Sequence, residues 1–169
     1  MPASDPVDAM TFVYTTNLSE VRVLAETQAR RAGLAADRVM DFVIAVSEVA
    51  ANTVAHAHSP GSIQIWSEAG ELVCEIRDGG VITDPTVGQQ PPAAGADGGH
   101  GLWLVHQVCD KVELHSTFEN GTTIRLRMSL TPPGSQAHDS PGPNSATTAP
   151  DVALRRTLSL PDRLGAEVN

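Results

Sequence analysis

Three polar side chains, Glu48, Asn52 and His56, recur at intervals of four in a segment that is otherwise rich in apolar residues. Residues four apart on an α-helix project from the same face, so the three side chains predict one polar stripe. A carboxylate can accept a proton, and a carboxamide oxygen is a ligand that Mg²⁺ can bind together with water and phosphate oxygens. Taken alone, the stripe is more typical of a solvated helix face than of a binding site, so the rest of the chain must decide its role.

Three glycine-bearing motifs follow the stripe, each at the end or the beginning of a predicted element. Asp78-Gly79-Gly80 closes a strand, Gly98-Gly99-His100-Gly101-Leu102 opens a helix, and Gly121-Thr122-Thr123 opens the last strand. Glycine lets the backbone approach a ligand closely, and a helix N-terminus offers free N–H groups to an anion. Together with the stripe, the order is Glu-x-x-x-Asn, Asp-x-Gly, Gly-x-Gly-Leu and Gly-Thr-Thr.

Hydrophobic periodicity and turn residues predict the elements that must position these motifs. We expect strands at 11–15, 63–66, 72–77, 111–117 and 122–130, and helices from 17 to 31, 37 to 57 and 101 to 109. Asn17 and Glu20 have the spacing of a capping box, and Gly33 is expected to end the first helix in a left-handed turn. This order predicts an α+β fold, a two-layer α/β sandwich whose mainly antiparallel mixed sheet is covered by helices on one face.

The length of 169 residues suits one domain with a tail. We expect a flexible N-terminus at 1–10, a domain at 11–130, and a disordered tail rich in Pro, Ser and Gly at 131–169. The formal net charge of -9 argues against a broad surface for nucleic acid. The single lysine, Lys111, lies outside any Gly-Lys-Ser/Thr motif, which excludes a P-loop.

Signals for export or for a membrane are not evident in the sequence. The N-terminal segment has no basic residue and no apolar run, and no stretch approaches the ~18 consecutive apolar residues of a membrane span. Cys74 and Cys109 match neither a metal motif nor a disulfide framework, so both are expected to be buried thiols. The expected location is the cytoplasm.

The four motifs, in this order, resemble those of the GHKL (Bergerat-fold) ATPases, the histidine-kinase-like ATP-binding superfamily. The segments SEVAANTVAHA, RDGG, GGHGLWLVHQVCDKVEL and NGTTIRLRM are most similar to the anti-sigma-factor serine/threonine kinases. The resemblance covers about Thr11 to Leu130. It implies a histidine-kinase-like ATPase fold for that segment, with ATP and Mg²⁺ as cofactors.

The resemblance also implies a role for each motif residue, and the chemistry of the side chains agrees. Glu48 would be the catalytic base for an attacking hydroxyl, and Asn52 would be the metal ligand that ties Mg²⁺ to the nucleotide. Asp78 would accept a hydrogen bond from the adenine amino group. The other residues expected to bind ATP are His56, Gly80, Gly99, His100, Gly101, Leu102, Thr122 and Thr123.

For the whole protein, the resemblance implies an anti-sigma factor with ATP-dependent serine/threonine kinase activity. Its partners would be a sigma factor and an anti-anti-sigma antagonist, which it would phosphorylate. A homodimer is expected from the resemblance alone, and neither nucleic acid nor a membrane is an expected direct partner.

The chain departs from the family pattern at two places, and these keep other functions open. Ile82 stands where the first glycine box often ends in Gly, and residues 81–97 contain no Arg or Lys, so His100 is the nearest candidate cation for the γ-phosphate. One alternative is a non-catalytic ATP-binding regulatory adaptor that sequesters a protein partner. Another is a sensor histidine kinase catalytic domain, which is disfavoured because little sequence precedes the Glu48 helix.

Overall fold

The computed structural model of the protein describes residues 9–84, 86–95 and 100–131. The predicted flexible N-terminus, apart from its last two residues, lies outside this part of the chain. The predicted disordered tail lies outside it as well, apart from Thr131.

Five strands form one open sheet in the order β1-β2-β3-β5-β4. They are β1 (Met10–Tyr14), β2 (Gly61–Glu68), β3 (Glu71–Asp78), β4 (Lys111–Thr117) and β5 (Gly121–Ser129). Each strand corresponds to one that was predicted from alternating hydrophobicity. All four pairings among these strands are antiparallel, so the described sheet contains no parallel pair, although a mixed sheet was expected.

Three α-helices, α1 (Leu18–Ala32), α2 (Ala36–Asn52) and α3 (His100–Val108), lie against the sheet. The predicted long second helix has two parts, because α2 is followed by a π-helical turn at Thr53–Ala57. Gly33 ends α1 with φ of 81°, which confirms the predicted left-handed turn.

The predicted capping box at the start of α1 is wrong in its hydrogen bonds. The Asn17 side chain caps no helical N–H group, because its Oδ1 turns back and accepts from Thr15 N at 3.2 Å. Its Nδ2 donates to Glu20 Oε2 at 2.6 Å, so the two residues are paired through their side chains rather than through the backbone.

The hydrophobic core lies between the helices and one face of the sheet. Strand register aligns apolar residues on that face, with Ile63 opposite Ile76 and Cys74 opposite Leu126. Phe42, Val46 and Val49 of α2 pack above them and are fully buried. Burial of each such side chain contributes about 1.5–3 kcal/mol, so α2 is the central core helix of the fold.

Both cysteines are free thiols buried in this core, as predicted. Burial raises the pKa of Cys109 to about 12 and also raises the pKa of Cys74 well above its usual value. Because the thiolate is the reactive form, neither side chain is suited to redox or nucleophilic chemistry.

The opposite face of the sheet is charged, and no helix of the described part of the chain covers it. Glu75 is only 3% exposed there, because Arg77 and Arg125 each reach its carboxylate at 2.5 Å. Arg127 bridges to Glu71 and Glu113 in the same way. The two-layer architecture expected from the sequence is therefore confirmed, with one apolar and one charged sheet face.

One helical run in the described residues, Ala36–Ala57, meets the length and hydropathy of a membrane span. No such stretch was expected from the sequence. The run consists of α2 and the π-helical turn, and its buried side chains pack into the core described above.

Candidate functional site

A cavity of about 380 Å³ opens where the end of α2, the segment after β3, the start of α3 and the start of β5 meet. Its wall includes seven residues that the sequence singled out: Asn52, His56, Asp78, Gly80, Gly101, Leu102 and Thr122. Val49, Ala57, Val81, Ile82, Val87 and Ile124 supply the rest of the wall. Motifs that are far apart in the sequence thus converge on one concave, largely apolar surface that has a few polar groups.

The junction between α2 and the π-helical turn positions Asn52 and His56. Asn52 is the last residue of α2, and His56 lies in the turn. Single π-helical turns within helices are frequent at functional sites. Among the described residues, the Asn52 carboxamide has no hydrogen-bond partner, so its oxygen is available to a ligand in the cavity.

Glu48, one turn before Asn52, lies at the edge of the cavity rather than in its wall. An added Cβ on Gly101 would come within 2.6 Å of Glu48 Oε2, so the carboxylate faces the first turn of α3. Glycine at position 101 leaves room for this carboxylate beside the helix N-terminus.

Hydrogen bonds hold both oxygens of the Asp78 carboxylate. Oδ1 accepts from Gly80 N at 2.8 Å, and Oδ2 accepts from Thr53 Oγ1 at 2.7 Å. Thr53 was missed by sequence reasoning. The only signal was its position next to Asn52, and nothing local indicated that a π-helical turn would bury it.

A chain of hydroxyl groups connects β5 to the segment after β3. Thr122 Oγ1 donates to Gly80 O at 2.9 Å and lies 2.7 Å from Ser116 Oγ. Ser116 Oγ in turn accepts from Ile82 N at 2.8 Å. Ser116 was also missed, because its role depends on the pairing of β4 with β5. Its contacts hold Ile82 at the cavity wall, where the family pattern often has glycine.

Three of the expected binding residues are not seen at the cavity. Thr123 lies on the opposite, charged face of the sheet, because neighbouring residues of a strand alternate between faces. His100 is exposed as the first residue of α3 and does not line the cavity. Gly99 lies outside the described residues.

Close backbone contacts fix the edge of the cavity around Asp78. A Cβ on Gly80 would lie 2.9 Å from Ala57 Cα, so the segment after β3 touches the π-helical turn. Gly121 has φ of 73°, and a Cβ there would overlap the carbonyl oxygen of Asp78. Both positions therefore require glycine, one for space and the other also for its conformation.

Tyr14 lies behind the Thr53–Asp78 pair and is 1% exposed. Burial raises the pKa of Tyr14 to about 12, the negative charge of Asp78 adds to the shift, and the Thr53 side chain opposes it. The hydroxyl stays protonated at neutral pH, and it has no hydrogen-bond partner among the described residues.

The donor set is suited to a metal ion that arrives with its ligand rather than to a metal held by the protein alone. The described residues contain no group of three or more His, Cys, Asp or Glu side chains that could hold a metal. Asn52 offers one neutral oxygen, and Mg²⁺ commonly takes one or two protein ligands together with phosphates and waters. Asn52 is therefore a cavity residue whose side chain could bind such an ion.

Comparison with known proteins shows the family of this chain. Residues 14–128 match the family model of the histidine kinase-like ATPase domain. The chain is 31% identical over 108 residues to the serine-protein kinase RsbW of Halalkalibacterium halodurans, a match that covers 56% of this chain and 65% of that protein. The chain thus spans just under two thirds of the length of this relative.

A solved structure shares the fold. The crystal structure of the RsbU and RsbW domains of a Mycobacterium tuberculosis protein superposes with a TM-score of 0.51 at 16% identity, and covers 71% of this chain and 32% of that one. The family match extends over most of the described domain and includes every residue of the cavity wall. The chain therefore belongs to the histidine kinase-like ATPase domain family, the GHKL group that its four motifs resemble.

Proposed function

We propose that the protein is a cytoplasmic, ATP-dependent serine/threonine protein kinase that acts as an anti-sigma factor. It would bind a sigma factor and phosphorylate a serine or threonine of a small anti-anti-sigma antagonist. The observation that supports this proposal is the convergence of Asn52, Asp78 and Gly101 on one cavity. Similarity to a serine-protein kinase supports the choice of reaction.

The cavity wall offers groups that suit a purine nucleotide. Asp78 presents a carboxylate that would accept a hydrogen bond from the adenine amino group, and Ile82 and Val87 offer apolar surface to the ring. Asn52 would bind the Mg²⁺ that accompanies the phosphates. The first turn of α3, which includes the cavity residue Gly101, would offer the phosphates free N–H groups and the positive end of the helix dipole.

Phosphoryl transfer would use Glu48 as the general base. The substrate hydroxyl oxygen forms a bond to the γ-phosphorus, the bond to the β–γ bridging oxygen breaks, and ADP leaves. Glu48 would take the proton of that hydroxyl, since its carboxylate faces the first turn of α3. Bound Mg²⁺ would neutralise charge on the phosphates.

The acidic character of the protein is compatible with a polyanionic ligand. Residues 1–130 carry -8 of the formal net charge of -9, but exposed charges farther away than about 8–10 Å are screened at physiological salt. Local N–H groups and one divalent cation would therefore dominate the electrostatic interaction with the phosphates. ATP binding should therefore depend strongly on Mg²⁺.

Regulation would follow if the two nucleotide states of the protein had different affinities for the sigma factor and for the antagonist. A kinase that sequesters a sigma factor in one nucleotide state and its antagonist in another exchanges partners when the nucleotide changes. Phosphorylation of the antagonist would then release it, because the added charge alters the complex. A homodimer is part of this proposal.

Isothermal titration with ATP, with and without Mg²⁺, tests the site. We expect wild-type protein to bind Mg-ATP, and Asn52→Ala to bind it at least about tenfold more weakly, a loss of about 1.4 kcal/mol. Gln107→Ala removes an exposed carboxamide on α3 outside the cavity wall and should leave the affinity unchanged. Equal affinity in wild type and Asn52→Ala, or binding indifferent to Mg²⁺, would contradict the proposed site.

A non-catalytic ATP-binding adaptor is the second candidate, and the lack of Arg and Lys in residues 81–97 favours it. Incubation of wild-type protein with γ-labelled ATP and candidate antagonist proteins separates the two functions. An acid-stable phosphoprotein supports serine or threonine transfer, and an acid-labile one points to histidine. ATP binding without any transfer would favour the adaptor.

A further inference from the structure

Thr53 is a buried polar residue to which neither the sequence motifs nor the proposed function assigns a role. It is 2% exposed at the beginning of the π-helical turn. Its hydroxyl has one proton and two acceptors within reach, Asp78 Oδ2 at 2.7 Å and Val49 O at 3.4 Å. The Asp78 carboxylate oxygen is both the closer and the stronger acceptor, so the Thr53 hydroxyl donates to Asp78.

This contact completes the immobilisation of the Asp78 carboxylate. Gly80 N holds the other oxygen from the opposite side, and Gly80 itself is pressed against Ala57. Tyr14 closes the space behind Thr53 and is fully buried, so water has little access to compete for the Thr53 hydroxyl. The carboxylate therefore has one orientation in which it can meet a ligand.

The orientation of the Asp78 carboxylate matters because a carboxylate that can rotate is able to bind two kinds of purine base. Adenine and its analogues present an amino group at C6, which donates to an acceptor. Guanine and hypoxanthine have a carbonyl at C6 but donate from N1–H. A carboxylate that can rotate would accept a hydrogen bond from this N1–H if the base shifted slightly. A site that is rigidly built for one hydrogen bond rejects the analogue that lacks it.

We propose that Thr53 is a positioning residue that locks Asp78 and thereby sets a preference for 6-amino over 6-oxo purine nucleoside triphosphates. This inference rests on the proposed function, because it requires a purine base at Asp78. Thr53 acts through Asp78 and does not itself touch the nucleotide, since it does not line the cavity.

Isothermal titration with Mg-ATP and with Mg-ITP, whose base is hypoxanthine, tests this role. We expect wild type to favour ATP by roughly a hundredfold or more. In Thr53→Val, which keeps the shape but loses the hydroxyl, the preference should fall at least about tenfold, whereas Thr53→Ser should keep it. Thr123→Val, on the other face of the sheet, is the matched control and should retain the wild-type preference.

The ratio of the two affinities is the decisive readout. If the role of Thr53 were purely structural, its loss would weaken the binding of ATP and of ITP equally. An unchanged affinity ratio in Thr53→Val would therefore overturn the inference. A fall of the ratio in Thr53→Ser as large as that in Thr53→Val would overturn it as well. If Thr53→Val does not fold, Thr53→Ala is measured against the same expectation. Failure of wild type to bind ATP would overturn the proposed function itself, whereas ATP binding with an unaltered ratio overturns only the role of Thr53.

Discussion

At the scale of single residues, the polar stripe along α2 and the π-helical turn divides into two environments. Asn52 and His56 line the cavity, whereas Glu48 lies at its edge against Gly101. Spacing along a helix therefore placed the three side chains on one side of the helical run 36–57, but it did not distinguish a residue in the wall from one at the rim. Their distinct positions suggest distinct roles in binding and in transfer.

Glu48→Gln tests the role of the rim carboxylate. The amide preserves size and polarity but is a far weaker base, so we expect the transfer rate at saturating ATP to fall about 10²–10⁴-fold. ATP affinity should stay within about threefold, because Glu48 does not line the cavity. Glu119→Gln, an exposed residue in the β4–β5 turn, makes the same change of charge and is the control. Undiminished transfer in Glu48→Gln would show that the base lies elsewhere.

At the scale of elements, two junctions bring the motifs into contact. The π-helical turn after α2 buries Thr53 against Asp78, and the first residue of β5 lies against the end of β3. Gly121 makes the second junction possible, since a side chain there would overlap the Asp78 carbonyl oxygen. The shape of the cavity therefore depends on a tight contact between two strands as well as on its wall residues.

Gly121→Ala measures this contact, and Gly70→Ala is its matched control. Both glycines have positive φ, 73° and 78°, but an added Cβ meets nothing within 4 Å at Gly70. Backbone strain alone should cost about 1–2 kcal/mol of the free energy of unfolding in Gly70→Ala. Gly121→Ala should cost more and should also weaken ATP binding, because Asp78 must shift. Urea denaturation and titration report the two effects, and equal costs at the two sites would argue against the close contact.

At the scale of the whole molecule, one ion pair connects the beginning of α2 with the far end of the domain. Arg38 donates to Asp110 at 2.9 Å and to the Val108 carbonyl at 2.9 Å, and Asp110 also accepts from Ser129 N. The pair thus joins α2 to the end of α3 and to β5. The Arg38 hydrogen bond holds the pKa of Asp110 below its usual value, and the Ser129 N–H contributes in the same direction.

This lowered pKa predicts a dependence of stability on pH. The folded state prefers ionised Asp110, so the stabilisation is complete above the ordinary value of 3.8 and is lost as pH falls through the lower value of the folded state. This stabilisation should amount to about 1 kcal/mol or less, because the Asp110 side chain is 44% exposed and its charge is screened by water. Asp110→Asn should be less stable than wild type near neutral pH, and the difference should shrink in acid. Urea denaturation between neutral pH and about pH 3 measures it, with Glu119→Gln as the control. A difference that grew in acid would contradict the assignment.

Local patterns in the sequence were sufficient to predict the helices and strands and seven of the thirteen described residues that line the cavity. Alternating hydrophobicity and Asn120-Gly121 predicted the β4–β5 hairpin, because strand periodicity and turn chemistry depend on neighbouring residues. The predicted fold class and the predicted family are both confirmed. The capping of α1 was not predicted correctly, since the direction of the Asn17 side chain depends on the turn that precedes the helix.

Residue types and their order alone determined that this protein has an α+β domain of the histidine kinase-like ATPase family. Only the tertiary structure decided which polar groups act together. Thr122 and Thr123 are equivalent in the motif, and the register of β5 between β3 and β4 places only Thr122 at the cavity. Thr53 and Asp78 are 25 residues apart, and their hydrogen bond exists because the π-helical turn and the end of β3 pack together. Such contacts depend on how distant elements dock, which local propensities do not encode.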